Sequence, residues 1–263
     1  MYSVNYHRAT SVADAVGKVK SGDAKFLSGG MTLIPTMKQR LASPSAVVDL
    51  GHIAELKGIK VSGNTVTIGA GTTHAEVAGD AALKKAAPAV AYLASHIGDP
   101  HVRHKGTIGG SIANNDPAAD YPGAVVALNA TVRTNKREIA ADSFFTGLFE
   151  TALEPGEVIT AVRFPKVAQA NYQKFRNPAS RYAIVGVFVA KAAGGVRVAV
   201  TGAGACVFRV SAMESALAGN FSPHAIKDIQ IPQDGLNSDI HASAEYRAHL
   251  VNVMARRAVQ ACA

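Results

Sequence analysis

Apolar positions recur at helical spacing near the start of the chain, at Val12, Ala15, Val16 and Val19. This spacing predicts a short helix capped by Ser11 and stopped at Gly22. Lys25 to Leu27 then reads as a short apolar strand. A glycine turn follows, with a helix-like segment from about Thr32 to Leu41 that tolerates Pro35 only near its start. The stretch SAVVDL predicts a second buried strand. Alternation takes over at Ile59 to Val61 and Thr65 to Ile68, a hairpin turned at Ser62-Gly63-Asn64 and followed by another glycine turn at Gly69 to Gly71. HAEVAGDAALKKAAPAVAYLASHIGD supplies helices, and GTIGGSIANNDPAADYPGAVVALNATV repeats glycine turn, helix and strand. NATVRTNKREIA reads as a second hairpin, turned at Thr134-Asn135.

A turn at Pro155-Gly156, a strand and an exit at Pro165 mark the boundary to a C-terminal unit. That unit opens with three strands, the last two joined at Gly194-Gly195, and closes with helices in VFRVSAMESALAG and HASAEYRAHLVNVMARRAVQACA. Strands followed by helices, rather than strict alternation, predict an α+β fold.

Composition narrows the function. The 263 residues, 48% hydrophobic, suffice for one large domain or two to three small ones with real cores. No apolar run approaches the roughly 20 residues that span a bilayer. The N-terminus also lacks the apolar core of a signal peptide, so a cytoplasmic protein is expected. Cys206 and Cys262 form no CxxC, and a disulfide framework, zinc site or iron–sulfur cluster cannot be built from this chain alone. The net charge of +8 is scattered, without a basic run or a tryptophan to stack on bases. Nucleic-acid binding is poorly supported, and a bound anionic cofactor would use that charge equally well.

The candidate chemistry lies in the glycine turns. SGGMT (Ser28 to Thr32) and TIGGS (Thr107 to Ser111) each bracket a Gly-Gly pair with hydroxyls. Paired glycines after a strand expose consecutive N–H groups to an anion, and two such turns facing each other would hold a pyrophosphate from both sides. Each could also be an ordinary tight turn. Asp116 and Asp120 stand far enough downstream to accept hydrogen bonds from ribose or ribityl hydroxyls without repelling phosphate, and Asp116 before Pro117 would equally serve as a helix cap. VRVAVTGAGACVFRV begins like a dinucleotide loop but carries Val207 where a third glycine belongs, so it reads as a strand-to-helix turn. His96, His101 and His104 around Asp99 lack metal-ligand spacing and read as loop residues near a cofactor or a subunit surface.

The segments KFLSGGMTLIPTMKQRL, TIGAGTTHAEV, GTIGGSIANNDPAAD and YQKFRNPASRYA, in this order, resemble the FAD-binding medium subunit of the molybdenum hydroxylases, the family of carbon monoxide and xanthine dehydrogenases. The resemblance implies a two-subdomain FAD-binding fold of the vanillyl-alcohol oxidase (PCMH) type over residues 1–167, divided near residue 55. Residues 168–263 would form the C-terminal α+β domain of the carbon monoxide dehydrogenase flavoprotein type. It implies a cofactor site of Lys25, Phe26, Leu27, Ser28, Gly29, Gly30, Met31, Thr32, Ala70, Gly106, Thr107, Gly109, Gly110, Ser111, Asn114, Asp116, Asp120, Ile159 and Lys174. Within it, Asp120 would bind a cofactor hydroxyl, Lys174 would lie near the flavin ring, and the main chain at Val158 and Ile159 would approach that ring. Met31 stands where histidine or asparagine often follows the glycines, and Asn114 and Asn115 also differ from relatives.

Three functions are compatible with these features. The chain could be the electron-transfer flavoprotein of a heterotrimeric molybdenum enzyme, working between a small [2Fe–2S] subunit, a large molybdenum-cofactor subunit and an external acceptor, in a dimer of heterotrimers. It could be a stand-alone FAD oxidoreductase, or a nucleotide-binding module without redox chemistry. The absence of an evident substrate-oxidising base favours the first over the second. On sequence alone Lys174 reads equally as an exposed strand lysine, and Tyr182 as a packed side chain or a shield for the ring.

Overall fold

The computed structural model describes residues 1–19 and 23–262. Ser11 caps the helix Val12–Lys18 by accepting from the Asp14 amide, and the expected stop at Gly22 lies outside the described residues. Three parallel strands, Asn5–Arg8, Ala46–Asp49 and Lys25–Leu27, form the first sheet in that spatial order. Asn5–Arg8 was not expected, because all four of its residues are exposed and carry no apolar alternation. The helix after the first glycine turn is shorter than its pattern, Leu33–Lys38, and Pro35 lies in its first turn.

The second sheet is antiparallel, ordered Ile59–Ser62, Thr65–Gly69, Ile159–Pro165, Thr131–Thr134 and Glu138–Ala140. Its first hairpin pairs Ser62 with Thr65 across Gly63, which takes the positive φ that a two-residue turn needs. Short helices cover this sheet, among them Tyr121–Ala127, all seven residues of which are buried.

The chain passes to a four-stranded antiparallel sheet between Pro165 and Gln169. Its strands are Gln169–Arg176, Ala183–Ala192, Gly195–Thr201 and Phe208–Arg209. The near-continuous apolar run from Ala183 to Ala190 follows from burial on both faces. Tyr172, Phe188, Ala190 and Ala199 pack into the core beneath Tyr121–Ala127. Val187, Val189, Val198 and Val200 face the helices Ser211–Gly219 and Ala244–Ala261. The Gly202–Gly204 segment leads into the short strand Phe208–Arg209 before any helix, with Gly202 at φ +82, so it is a strand-to-strand connection rather than the expected strand-to-helix turn. Among the described residues no helix is long and apolar enough to cross a membrane.

Candidate functional site

A cleft of about 500 Å³ opens where the first sheet, the second sheet and the helix Ile108–Asn114 come together. The turn that leaves Lys25–Leu27 forms one wall. Gly30 takes φ +71, a left-handed conformation that aligns successive backbone amides. The N–H groups of Gly29, Gly30, Met31 and Thr32 have no acceptor among the described residues, and all four residues line the cleft. Four unspent amides in a row form an anion-binding concavity.

The second Gly-Gly motif differs from the expectation. Gly109 and Gly110 belong to the helix Ile108–Asn114, not to an open turn, and Thr107 is its N-cap, accepting from the Gly110 amide at 3.1 Å. The Ile108 amide donates to the Thr72 carbonyl at 3.2 Å and the Gly109 amide to the Ala70 carbonyl at 2.9 Å. Those donors are spent inside the protein, so only the Ser28–Thr32 half of the expected pair of nests is open. The two motifs do face each other, joined by the Ser28 and Thr107 hydroxyls at 2.9 Å.

The glycines have a second physical reason. A Cβ on Gly29 would stand 2.0 Å from the Lys105 carbonyl oxygen, and one on Gly109 would stand 2.6 Å from the Ala70 Cβ. Three turns, after Leu27, Gly69 and Lys105, converge here with no room for side chains between them. Close approach of backbone to backbone, not only of ligand to backbone, requires glycine at these positions.

Every residue singled out as a cofactor contact lines this cleft except Lys174. Asp116 is half-buried and accepts from the Ala118 amide at 2.8 Å, a local turn rather than the helix cap considered for it, and burial raises its carboxyl above the usual range. Asp120 is 3% exposed; burial pushes its carboxyl up, against the pull of the Lys174 charge and the Tyr172 hydroxyl. Lys174 sits behind Asp120 rather than on the cleft surface. Its ammonium donates to Asp120 Oδ2 at 3.0 Å and to the His96 carbonyl at 3.1 Å, and forms an ion pair with Asp120 Oδ1 at 2.9 Å. The exposed strand lysine does not fit that placement.

Val158 and Ile159 line the cleft, but both main-chain groups of Val158 are already bonded to Asn135, its carbonyl to the Asn135 amide at 3.0 Å and its amide to the side-chain oxygen at 2.8 Å. Tyr182 is 48% exposed at the cleft rim, so it is not packed. His101 and His104 lie on the helix Pro100–Lys105 that Asp99 caps, and no group of three metal-ligating side chains occurs among the described residues.

Two cleft residues escaped sequence reasoning. His74 follows Thr73 in a capping box with Glu76, a helix-start signal that says nothing of the imidazole. Its ring is buried, with Nδ1 unpartnered among the described residues, and burial aided by the Arg103 charge brings its pKa down to about 4. Glu157 has a fully buried side chain. Burial alone would raise its carboxyl, but Arg137, the Glu154 amide and the Thr134 hydroxyl outweigh that and hold it at about 2.

Comparison with known proteins defines the class. Residues 2–167 match the FAD binding domain in molybdopterin dehydrogenase. The nicotine 6-hydroxylase medium subunit of Paenarthrobacter nicotinovorans is 34% identical over 98% of this chain and 96% of its own length. The carbon monoxide dehydrogenase medium chain of Hydrogenophaga pseudoflava is also 34% identical, over 97% of this chain and 96% of its own. In solved structures, carbon monoxide dehydrogenase from the same organism superimposes with a TM-score of 0.90 at 33% identity, covering 99% of this chain and 97% of that one. Quinoline 2-oxidoreductase from Pseudomonas putida 86 gives 0.90 at 25% identity, covering 99% and 97%. The chain belongs to the FAD-binding medium subunits of the molybdenum hydroxylase family, and its cofactor is FAD.

The cleft fits that cofactor. Its open amides suit a pyrophosphate, and among the described residues Lys25 is the only cationic side chain in its lining, so backbone donors supply most of the anion recognition.

Proposed function

We propose that the chain is the electron-transfer subunit of a heterotrimeric molybdenum hydroxylase, receiving electrons from the [2Fe–2S] clusters of a small subunit and delivering them to an external acceptor. A large molybdenum-cofactor subunit would carry out the substrate chemistry, and two heterotrimers would assemble as a dimer. The fold would be the two-subdomain PCMH type over residues 1–167, with its division near residue 55, followed by a C-terminal domain over 168–263. The names of the full-length relatives, medium chains of carbon monoxide, nicotine and glyceraldehyde oxidising enzymes, support the multi-subunit reading.

The observation that carries the cofactor site is the row of four unpartnered amides from Gly29 to Thr32 along one cleft. Bound FAD exchanges electrons singly or in pairs, which no side chain here can do. The chain's own residues position it. The Ser28–Thr32 turn receives the pyrophosphate, and Asp116 and Asp120 offer carboxylate oxygens to hydroxyls. Leu50, Leu56, Leu153 and Ile159 exclude water from the apolar part of the cleft.

The test is to purify the chain from cells that co-express its neighbouring subunits. The expected result is a yellow protein that releases FAD on denaturation and co-purifies with iron–sulfur and molybdenum-containing chains. A flavoprotein that purifies alone and oxidises a substrate unaided would overturn the subunit reading. A colourless chain that takes up no added FAD would overturn the site.

A further inference from the structure

We infer that Tyr172 and Lys174 are positioning residues that hold Asp120 as an ionised acceptor, each fixing one of its oxygens, so that the four-stranded sheet decides which donor of the bound cofactor the cleft accepts. The inference rests on the FAD site proposed above and adds residues that do not line it.

Each Asp120 oxygen accepts one hydrogen bond, Oδ1 from the Tyr172 hydroxyl and Oδ2 from Lys174 Nζ at 3.0 Å, and the ammonium also stands 2.9 Å from Oδ1 as an ion pair. A carboxylate has about four acceptor positions, so about half of them stay open to a ligand. Lys174 donates a second hydrogen bond to the His96 carbonyl at 3.1 Å. It does not line the cleft, so it acts on a ligand through Asp120. Tyr172 and Lys174 are two residues apart on the strand Gln169–Arg176, on one face of it. Space for the Tyr172 hydroxyl comes from Gly186 on the neighbouring strand, where a Cβ would stand 2.3 Å from it.

An ionised carboxylate held in this way accepts a hydroxyl or N–H and repels an acceptor. If the lysine is removed, the buried carboxylate loses its counter-charge and takes up a proton more readily, since burial already favours its neutral form. It then becomes a donor as well, and recognition changes sign. The other titratable groups facing Asp120 are His96, Tyr121 and Tyr182. Burial raises both tyrosines above the usual phenol range, so they stay protonated through neutral pH.

The experiment is FAD titration of the full chain, stripped of flavin, by quenching of flavin fluorescence between pH 5.5 and 8.5. Wild type should show a flat profile, and Lys174→Met should bind about tenfold weaker at pH 6 and regain affinity as pH rises. Asp120→Asn added to Lys174→Met should remove that rise, whereas His96→Gln should leave the wild-type profile flat. A folded Lys174→Met whose profile parallels wild type would overturn the inference. Should Lys174→Met not fold, Tyr172→Phe decides, since it removes a single oxygen. A loss of about threefold or more in FAD affinity with an unchanged melt supports the inference, and unchanged affinity overturns it. Wild-type chain that binds no FAD would overturn the cofactor site itself, a result distinct from parallel profiles in chains that do bind.

Discussion

Replacing Gly29 by alanine tests whether the cleft is made by backbone contact. The new Cβ would lie 2.0 Å from the Lys105 carbonyl oxygen, 2.7 Å from its carbon and 2.8 Å from the Gly106 Cα. A normal carbon–oxygen contact is roughly 1 Å or more longer than the first of these. All three obstacles are backbone, so no rotamer change relieves them, and the two turns must separate by about that amount. A shift of this size would break the 2.9 Å Ser28–Thr107 hydroxyl bond, costing about 1 kcal/mol, and overpacking adds about 1–3 kcal/mol. The sum, about 2–4 kcal/mol, should divide between lower stability and weaker FAD binding, where each 1.4 kcal/mol of binding is about tenfold. Urea denaturation of the flavin-free chain measures the first part, and FAD fluorescence titration the second. Gly17→Ala is the control, since none of the described residues comes within 4 Å of its Cβ position; one residue before the end of the helix Val12–Lys18, it should be neutral or stabilise by up to about 1 kcal/mol. A Gly29→Ala chain with wild-type melting and wild-type FAD affinity would refute the convergence argument.

Further outcomes follow from the charges in the cleft. His74 has its pKa lowered to about 4, so as pH falls below the ordinary 6.5 the unfolded chain takes up a proton that the folded chain refuses. Wild type should therefore lose about 2 kcal/mol more than His74→Gln between pH 7 and 5 in paired urea melts. Glu157 is depressed to about 2 from 4.5, so its contribution is complete above pH 4.5 and lost as pH falls towards 2. With its half-exposed partner Arg137 discounted for solvent, that is about 2 kcal/mol at neutral pH, and Glu157→Gln should show it in melts at pH 7 and little of it at pH 2.5. FAD affinity should change by less than about threefold between 50 and 500 mM salt if backbone amides, rather than exposed lysines, hold the pyrophosphate; a fall of tenfold or more, read by the same titration, would assign that role to charged side chains.

Much of this architecture is legible where one residue has one local task. Ser11 announces a helix start because it satisfies an otherwise unpaired amide, and Gly63 and Gly156 mark turns because their φ is positive; Asp99 caps Pro100–Lys105 in the same way, yet the histidines around it read as a loop. Part of the cleft lining is legible for a related reason: Lys25–Thr32 and most of Gly106–Asp120 stand in two short motifs, each beside a turn. Local reasoning fails where the partner is distant in sequence. A Gly-Gly pair has poor helix propensity and reads as a turn, yet Gly109 and Gly110 are helical because Thr72 and Ala70 take the first amides and Thr107 caps the third. Lys174 reads as an exposed lysine because nothing nearby in sequence announces Asp120, 54 residues away. The strand Asn5–Arg8 pairs with Ala46–Asp49 through its backbone and the Tyr6 hydroxyl, which donates to Asp49, so it leaves no apolar pattern to detect.

The same distinction explains why acids follow the glycines so closely. A free carboxylate beside a phosphate site would repel the ligand, and Asp120 lines the cleft with one position on each oxygen already taken by Tyr172 and Lys174. The ammonium of Lys174 cancels its charge within 3.0 Å, at a depth where solvent screening is weak. What the cleft meets is therefore closer to a neutral pair with a directed lone pair than to an anion. That neutral pair needs the strand Gln169–Arg176, which in turn needs the buried Ala183–Ala192 strand and its glycine at 186. The Tyr121–Ala127 helix, which starts at Asp120, packs on the same sheet. An acid that sequence places beside an anion site is thus tolerated because the four-stranded sheet, encountered more than 50 residues later in the chain, supplies its counter-charge.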